Sequence, residues 1–209
     1  MNIFQFKEMT NFIPIFPLDV VVYPEEIIRL HIFEPRYKQL IRECLAEQKQ
    51  FGIPVSIENK IMEHGTLIEV IEITKEHEDG SFDIKAKGLQ VFRILEIVKS
   101  LPEKLYSGAI VNYPENDKMK VHPNLSKLIF TEVQRLYTIL NIENMLSEDM
   151  PEWTSYDIAH KLGLTREQEY ELLSIFNEVQ RMEYLRRYFN SIMPEVDNIE
   201  LLKSRINLN

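Results

Sequence analysis

The sequence contains few of the residues on which common catalytic and metal-binding motifs depend. Its 209 residues include a single cysteine, Cys44, which excludes an intrachain disulfide and a zinc cluster of several thiolates. The six glycines are isolated and none precedes a lysine, which excludes a phosphate-binding Walker loop and a dinucleotide-binding GxGxxG turn. No histidine pair has HExxH spacing and no GxSxG motif occurs. We therefore predict no catalytic, metal-binding or cofactor-binding residues, and we expect Cys44 to be a buried apolar residue.

Positive charge and long apolar runs are also scarce. The chain has 24 Lys and Arg against 33 Asp and Glu, a formal net charge of −9. This balance disfavours a protein that binds nucleic-acid backbones or anionic membranes, because such binding needs clustered basic residues. No apolar run approaches the ~20 residues that cross a bilayer, and the N-terminal residues lack the layout of a secretory signal. We expect a cytoplasmic protein without nucleic-acid or membrane partners.

The stretch from Ile13 to Leu45 organises the first half of the chain, because it leads an alternating strand directly into a helix. A period of two predicts a half-buried strand whose inward side chains are Ile28, Leu30 and Ile32. Pro35 suits the first turn of a helix, since it has no N–H and a fixed φ. The helix has an apolar stripe of Tyr37, Leu40, Ile41, Cys44 and Leu45. His31 lies on the strand and is interpreted as a surface histidine or one with its hydrogen bonds satisfied, and not as a metal ligand.

Further short strands follow as far as residue 113. They are predicted over residues 51–57, after Gly65, over residues 82–86, over residues 91–97 beyond a break at Gly88, and over residues 106–113. Pro54 within the first of them indicates an edge position or a bulge. His77 to Ser81 contains Asp-Gly and predicts a hairpin turn. Short strands at this spacing predict a closed or nearly closed antiparallel barrel with one inserted helix, over residues 1–113.

The second half of the chain has helical periodicity. Residues 114–123 are polar, are bracketed by prolines and are predicted to be a linker, followed by an all-helical bundle over 124–209. We expect Ser155 to cap a short helix that stops at Gly163. Thr165 begins a capping-box pattern, and the helix after it is expected to continue to Pro194. Its predicted core face consists of Leu172, Phe176, Val179, Met182, Leu185 and Phe189.

Two enzyme or DNA-binding alternatives remain open at this point. The segment from Asp157 to Thr165 has the outline of a helix-turn-helix, but the helix after it begins with several glutamates, which repel phosphates. A serine hydrolase with a dispersed triad has no local signature and therefore remains a second alternative.

Three arginines near the C-terminus could form a basic patch, but glutamates at helical spacing predict a salt-bridged, solvated face. These residues are Arg181, Arg186 and Arg187, with Glu178 and Glu183.

The motif residues of the first half resemble the opening of the Lon protease N-terminal domain, also called the Lon substrate-binding domain. The residues that carry the resemblance are Pro14, Phe16, Pro17, Leu18, Pro24, Phe33, Glu34, Pro35, Arg36, Tyr37 and Gly88. Most of them are expected to be structural. The family usually has a glycine where this chain has Glu25, so a differently shaped turn is expected there. Residues 158–181 are similar to the helical part of the same domain.

The resemblance implies an α+β fold in which a pseudo-barrel precedes a helical bundle. It further implies recognition without the ATPase and peptidase domains of a Lon protease. We therefore expect a non-catalytic protein that binds unfolded polypeptides or a partner protein and is linked to protein quality control. Binding is expected in a groove between the subdomains or along an open strand edge. The sequence identifies neither the peptide-binding residues nor the bound polypeptide, and weak self-association is left open.

Overall fold

The structure is a computed structural model that describes residues 11–117, 123–141 and 153–192. The chain divides into two compact units, Met1–Pro114 and Glu115–Asn209, called the first and second unit below. The predicted linker spans this division, and its residues 118–122 lie outside the described part of the chain. The linker and its exact bounds therefore stay a prediction.

The first unit is a six-stranded antiparallel sheet with one helix. Its elements are β1 (Asn11–Pro14), β2 (Ile27–Ile32), α1 (Pro35–Glu47), β3 (Phe51–Ile57), β4 (Lys60–Glu76), β5 (Phe82–Val98) and β6 (Gly108–Asn112). The strand order is β1-β6-β5-β4-β3, and β2 pairs with β5. The segment that follows β1 bonds to β3, which brings the two ends of this strand order together. The Phe16 amide donates to the Gly52 carbonyl at 2.8 Å, and the Ser56 amide donates to the Leu18 carbonyl at 2.8 Å. The predicted antiparallel α+β fold is confirmed.

Most of the core of this unit lies between α1 and one face of the sheet. The alternation in β2 and the stripe on α1 supply Ile32, Tyr37, Leu40, Ile41 and Cys44 to this core, as predicted. Pro35 is the first residue of α1. The inward residues of β5 are Phe82, Ile84 and Ala86. Burying these apolar side chains stabilises the unit by roughly 25 cal/mol for each Å² removed from water.

Two glycines lie within long strands, whereas the sequence predicts a strand start at Gly65 and a break at Gly88. Both predictions are wrong. A Cβ at Gly65 would collide with the Ile53 carbonyl of β3, and a Cβ at Gly88 would collide with the Tyr23 carbonyl. The register between β4 and β5 shifts next to the pair of Ile68 and Gly88, and this shift is a β-bulge. These glycines therefore allow close backbone approach inside continuous strands. The predicted bulge near Pro54 is confirmed.

The second unit contains helices throughout its described residues. They are α2 (Pro123–Leu140), α3 (Ser155–Ala159), α4 (Arg166–Leu173) and α5 (Glu178–Ile192). The periodicity from residue 125 to residue 140 correctly predicts α2, and its buried residues are Ile129, Val133, Leu136, Tyr137 and Leu140. Residues 143–152 of the predicted loop and the tail with Pro194 lie outside the described residues. The arrangement of the helices as a bundle stays a prediction.

The N-cap of α3 lies one residue earlier than predicted. Thr154, not Ser155, is the capping residue, since its hydroxyl and its amide both bond to the Asp157 carboxylate at 2.8 and 2.7 Å. Ser155 is instead fully buried. The helix ends at Ala159, so the predicted stop at Gly163 is wrong, although Gly163 does have a left-handed φ of 71°.

One long helix is predicted after Thr165, but the structure has two. The capping box of Thr165 and Gln168 is confirmed and starts α4. The chain breaks after Leu173, because the side chain of Asn177 accepts a hydrogen bond from the Gln180 amide at 3.1 Å and starts α5. Val179 is consequently 42% exposed and does not belong to the core face.

Candidate functional site

The outer edge of β2 has no strand partner in the part of the first unit that the structure describes. Among the described residues, β2 pairs with β5 alone, in unbroken register from Ile27 opposite Lys87 to Ile32 opposite Phe82. An edge strand presents a row of backbone donors and acceptors that a further strand can use. The sequence predicts such an edge only in general terms, and the topology identifies it as β2.

The pairing pattern determines which backbone groups of β2 face the open edge. The Gly88 amide donates to the Glu26 carbonyl at 2.9 Å, so residue 26 occupies a hydrogen-bonded pair. Such pairs alternate along an antiparallel ladder. The even-numbered residues of β2 therefore bond to β5, while Ile27, Arg29 and His31 direct N–H and C=O groups outward. No backbone hydrogen bond joins these three residues to another described segment.

The ends of this edge carry large exposed apolar side chains. Ile27 is 48% exposed at one end, and Phe33, directly after the strand, is 61% exposed. Phe33 differs in this respect from the family-motif residues Phe16 and Tyr37, which are both buried. Among the aromatic residues of the motif, Phe33 therefore has the exposed ring, one face of which stacks on His31 with ring centroids 5.9 Å apart.

The free edge of β4 has a different character. Its residues beyond the pairing with β3 include four charged side chains and two register shifts against β5. The charged residues are Glu69, Glu72, Lys75 and Glu76. Charges and bulges are the features that keep an edge from pairing with another strand. The β2 edge has no register shift along its pairing with β5.

The remaining motif residues fix the position of β2 relative to α1. Phe16 stacks on Tyr37 with ring centroids 3.7 Å apart, and this contact joins the segment after β1 to α1. The Arg36 guanidinium lies 4.5 Å from the Tyr37 ring centroid and donates to the Glu34 carboxylate at 2.9 Å. Burial raises the pKa of Tyr37. Pro14 ends β1 and Pro35 starts α1. That the motif residues are mainly structural stays a prediction.

The turn before β2 depends on Glu25 and Gly88. Glu25 has a φ of 71°, the left-handed conformation that glycine adopts most easily. Its amide donates to the Gly88 carbonyl at 2.8 Å, and its carboxylate pairs with Lys87 at 2.7 Å. The turn thus has the backbone that a glycine would favour, and the expectation of a differently shaped turn finds no support in this conformation. Pro24 is buried beside it.

A cluster of two histidines and one carboxylate lies beside Phe33. His31 of β2 is directly opposite Asp83 of β5, and its Nδ1 lies 2.6 Å from Asp83 Oδ1. His77, at the start of the hairpin turn, places Nε2 3.0 Å from Asp83 Oδ2. Hydrogen bonds from His31 and then His77 lower the pKa of the Asp83 carboxyl. Sequence reasoning missed this cluster because 52 positions separate His31 from Asp83.

A buried polar network in the second unit was also missed. Arg181 is 1% exposed, so the predicted solvated face is wrong for this residue, although Arg186 and Glu183 do form an exposed pair. Arg181 Nε donates to Ser155 Oγ at 3.0 Å and to Glu178 Oε2 at 2.8 Å. A serine held between a buried carboxylate and a guanidinium has a structural role, and this setting gives the hydrolase alternative no support.

The helix-turn-helix alternative gains no support from α4. The α4 N-terminus carries Glu167 and Glu169, and Arg166 already donates to the Glu169 carboxylate at 2.7 Å. Glu169 is buried and also bonds to His160 Nδ1 at 2.7 Å. Acidic residues at this end repel a phosphate backbone.

None of the described helices has the length and apolar character needed to span a bilayer.

The chain matches a known family over most of its length. The model of the ATP-dependent protease La (LON) substrate-binding domain matches residues 13–191. A LON peptidase N-terminal domain and RING finger protein of Schizosaccharomyces pombe is 22% identical over 84% of this chain and 44% of its own length. A Lon protease of Solibacter usitatus is 23% identical over 84% of this chain and 23% of its own length. The chain thus spans less than half the length of these two relatives.

Solved structures show the same fold. The Lon N-terminal domain protein from Xanthomonas campestris aligns with a TM-score of 0.67 and 21% identity, over 85% of this chain and 98% of that one. The N-terminal domain of the Mycobacterium avium complex Lon protease aligns with a TM-score of 0.61 and 16% identity, over 86% and 98%.

Proposed function

The chain belongs to the ATP-dependent protease La (LON) substrate-binding domain family, and we propose that it binds an extended segment of a partner polypeptide along the open edge of β2. The family and the fold support a substrate- or partner-binding role in general terms. The single observation that carries the finer proposal is that β2 combines an unbulged open edge with exposed apolar side chains at both ends.

The proposed mechanism is strand addition. The partner segment pairs its backbone with the outward groups of Ile27, Arg29 and His31, and its apolar side chains contact Ile27 and Phe33. Backbone hydrogen bonds do not depend on the partner's sequence, so many unfolded polypeptides can bind with weak selectivity. Side-chain contacts at the two ends then favour segments that have an apolar residue at each end. Such a mode suits a role in protein quality control.

A binding experiment tests the proposed edge. Fluorescently labelled β-casein, which has no stable fold, is titrated with the full chain and followed by anisotropy. We expect Phe33→Ala and Ile27→Ser each to weaken binding at least about fivefold, the loss expected for an interface residue worth more than about 1 kcal/mol. Matched controls are Leu105→Ala and Leu95→Ser, which alter side chains that are 65% and 45% exposed elsewhere in the first unit. Equal weakening by the controls would contradict the proposal.

The proposal also states that binding occurs without cleavage. The purified chain is incubated with β-casein, with and without ATP, and the casein is followed by electrophoresis. Intact casein throughout is the expected result. Cleavage of casein by the chain alone would favour the hydrolase alternative. In a separate gel-shift assay, retention of duplex DNA at low salt would favour the helix-turn-helix alternative. Partnership with a separate protease belongs to the same proposal, and casein degraded faster by an added ATP-dependent protease would support it.

A further inference from the structure

We propose that His31, His77 and Asp83 form a binding site for one divalent transition-metal ion of the zinc type. The three side chains each offer one ligand atom, and these atoms all lie within 4.8 Å of one another. It is the one such group of three found in the part of the chain that the structure describes. The inference does not depend on the proposed polypeptide binding.

The spacing of the ligand atoms is close to that required by a tetrahedral ion. Zinc binds imidazole nitrogen and carboxylate oxygen at about 2.0–2.2 Å, which places neighbouring ligand atoms about 3.3 Å apart. His31 Nδ1 and Asp83 Oδ1 are 2.6 Å apart, and His77 Nε2 and Asp83 Oδ2 are 3.0 Å apart. Each of these two pairs needs to separate by less than about 1 Å, and a pair at the outer limit of 4.8 Å needs to close by about 1.5 Å to reach the tetrahedral spacing.

The donor set matches the chemistry of a borderline transition-metal ion. Two imidazoles and one carboxylate suit zinc, cobalt, nickel or copper, whereas calcium and magnesium prefer all-oxygen sites. A neutral imidazole carries one proton, which can reside on either ring nitrogen. When the metal takes the lone pair of His31 Nδ1 and His77 Nε2, each ring proton occupies the opposite nitrogen, and the carboxylate stays ionised.

The backbone holds the three ligands in place before an ion arrives. His31 and Asp83 are paired residues of adjacent strands, so their separation is fixed by the sheet register. The hairpin turn fixes His77, because its amide donates to the Ser81 carbonyl at 2.9 Å and its carbonyl accepts from the Gly80 amide at 3.0 Å. The turn is itself held by a hydrogen bond of 2.9 Å from the Ser81 amide to Asp79.

The position of the cluster leaves room for a further ligand. The side chains of His31, His77 and Asp83 are 52%, 28% and 34% exposed. Three protein ligands with solvent access leave the fourth tetrahedral position to water or to a donor of a bound molecule. The ion would also join β2 to the hairpin turn, beside Phe33, whose ring centroid lies 5.9 Å from that of His31.

Direct titration tests the site. The full chain, without an affinity tag and freed of metal with a chelator, is titrated with ZnCl₂ against a chromophoric chelator and with CoCl₂ by visible absorption. One ion per chain is expected, with a tetrahedral cobalt spectrum. Removing a ligand is expected to lower the affinity at least about tenfold, since even loss of an outer-shell partner costs that much. The ligand variants are His31→Gln, His77→Gln and Asp83→Asn.

The controls separate this site from adventitious binding. Glu78→Gln removes an exposed carboxylate from the same turn, and His64→Gln removes another histidine of the first unit. Both are expected to keep wild-type affinity. Circular dichroism verifies that every variant is folded. The proposal is overturned if wild-type protein shows no saturable binding, or if the ligand variants bind zinc as tightly as the controls.

Discussion

Arg181 and Glu178 form a buried ion pair, with Nη2 and Oε2 2.7 Å apart and side chains only 1% and 4% exposed. The guanidinium also donates to the Asn116 side chain and to the Ile175 carbonyl, each at 2.7 Å. It lies 4.3 Å from the ring centroid of Tyr156. A buried charge with this many partners holds α5 to the start of α3 and to the connection before α5. Its loss leaves several polar groups unpaired.

Arg181→Leu is expected to destabilise the second unit by about 3–5 kcal/mol, the usual cost of leaving a buried charge without its partner. Chemical unfolding followed by Trp153 fluorescence measures this, because the single tryptophan lies in that unit. Arg186→Leu is the matched control on the same helix, where the pair with Glu183 is exposed, and little change is expected. Equal effects of both variants would contradict a structural role for the buried pair.

Glu25→Gly is expected to stabilise the first unit by up to about 1 kcal/mol, because Glu25 has a φ of 71° that an L-residue adopts at a cost. The greater freedom of glycine in the unfolded chain and loss of the pair with Lys87 reduce the gain. Glu25→Gln keeps the backbone cost and removes only the charge, so it isolates the ion pair. Thermal unfolding measures all three proteins. A Glu25→Gly variant less stable than Glu25→Gln would contradict the account.

Cys44 is expected to be unreactive in the native chain. Burial raises the pKa of its thiol to about 12, so the thiol stays protonated at pH 8, where a thiolate is needed for reaction. Addition of an aromatic disulfide reagent at pH 8 should give no signal until guanidinium unfolds the protein. The unfolded chain then serves as the positive control with one thiol. Rapid reaction without denaturant would contradict the buried position on α1.

Glu43 is expected to make the first unit sensitive to acid. Burial raises the pKa of its carboxyl, but hydrogen bonds from Lys104, Tyr106 and Gln39 outweigh burial and lower it. A carboxyl with a lowered pKa stabilises the fold above its ordinary pKa of about 4.3 and loses that contribution as pH falls through the folded value. The stability difference between wild type and Glu43→Gln should therefore shrink below about pH 4.5. Glu78→Gln removes an exposed carboxylate and is measured alongside as the control for the loss of one charge.

Local patterns predicted the first unit well. The alternation of Ile28, Leu30 and Ile32 reflects one face of a single strand, and the position of Pro35 reflects the first turn of a single helix. Neighbouring residues are therefore sufficient to predict both features. Gly65 and Gly88 were misread as a strand start and a strand break. Here each is required by a carbonyl from a distant segment, which no local pattern contains.

The candidate sites depend on contacts that the sequence does not encode locally. Arg181 has the same helical spacing to a glutamate as Arg186 has, yet one pair is buried and the other is exposed. The difference comes from Asn116 and Ser155, which approach only in the folded unit. The open edge of β2 likewise follows from the order of the strands and not from the composition of β2.

Backbone amide exchange of β2, followed residue by residue by NMR with and without β-casein, tests the open-edge account most directly. Without casein, Ile27, Arg29 and His31 should exchange quickly and their even-numbered neighbours slowly. The account predicts that casein protects these three amides and leaves the free edge of β4 unchanged. Casein binding that protects other residues, with no change at these three, would contradict it.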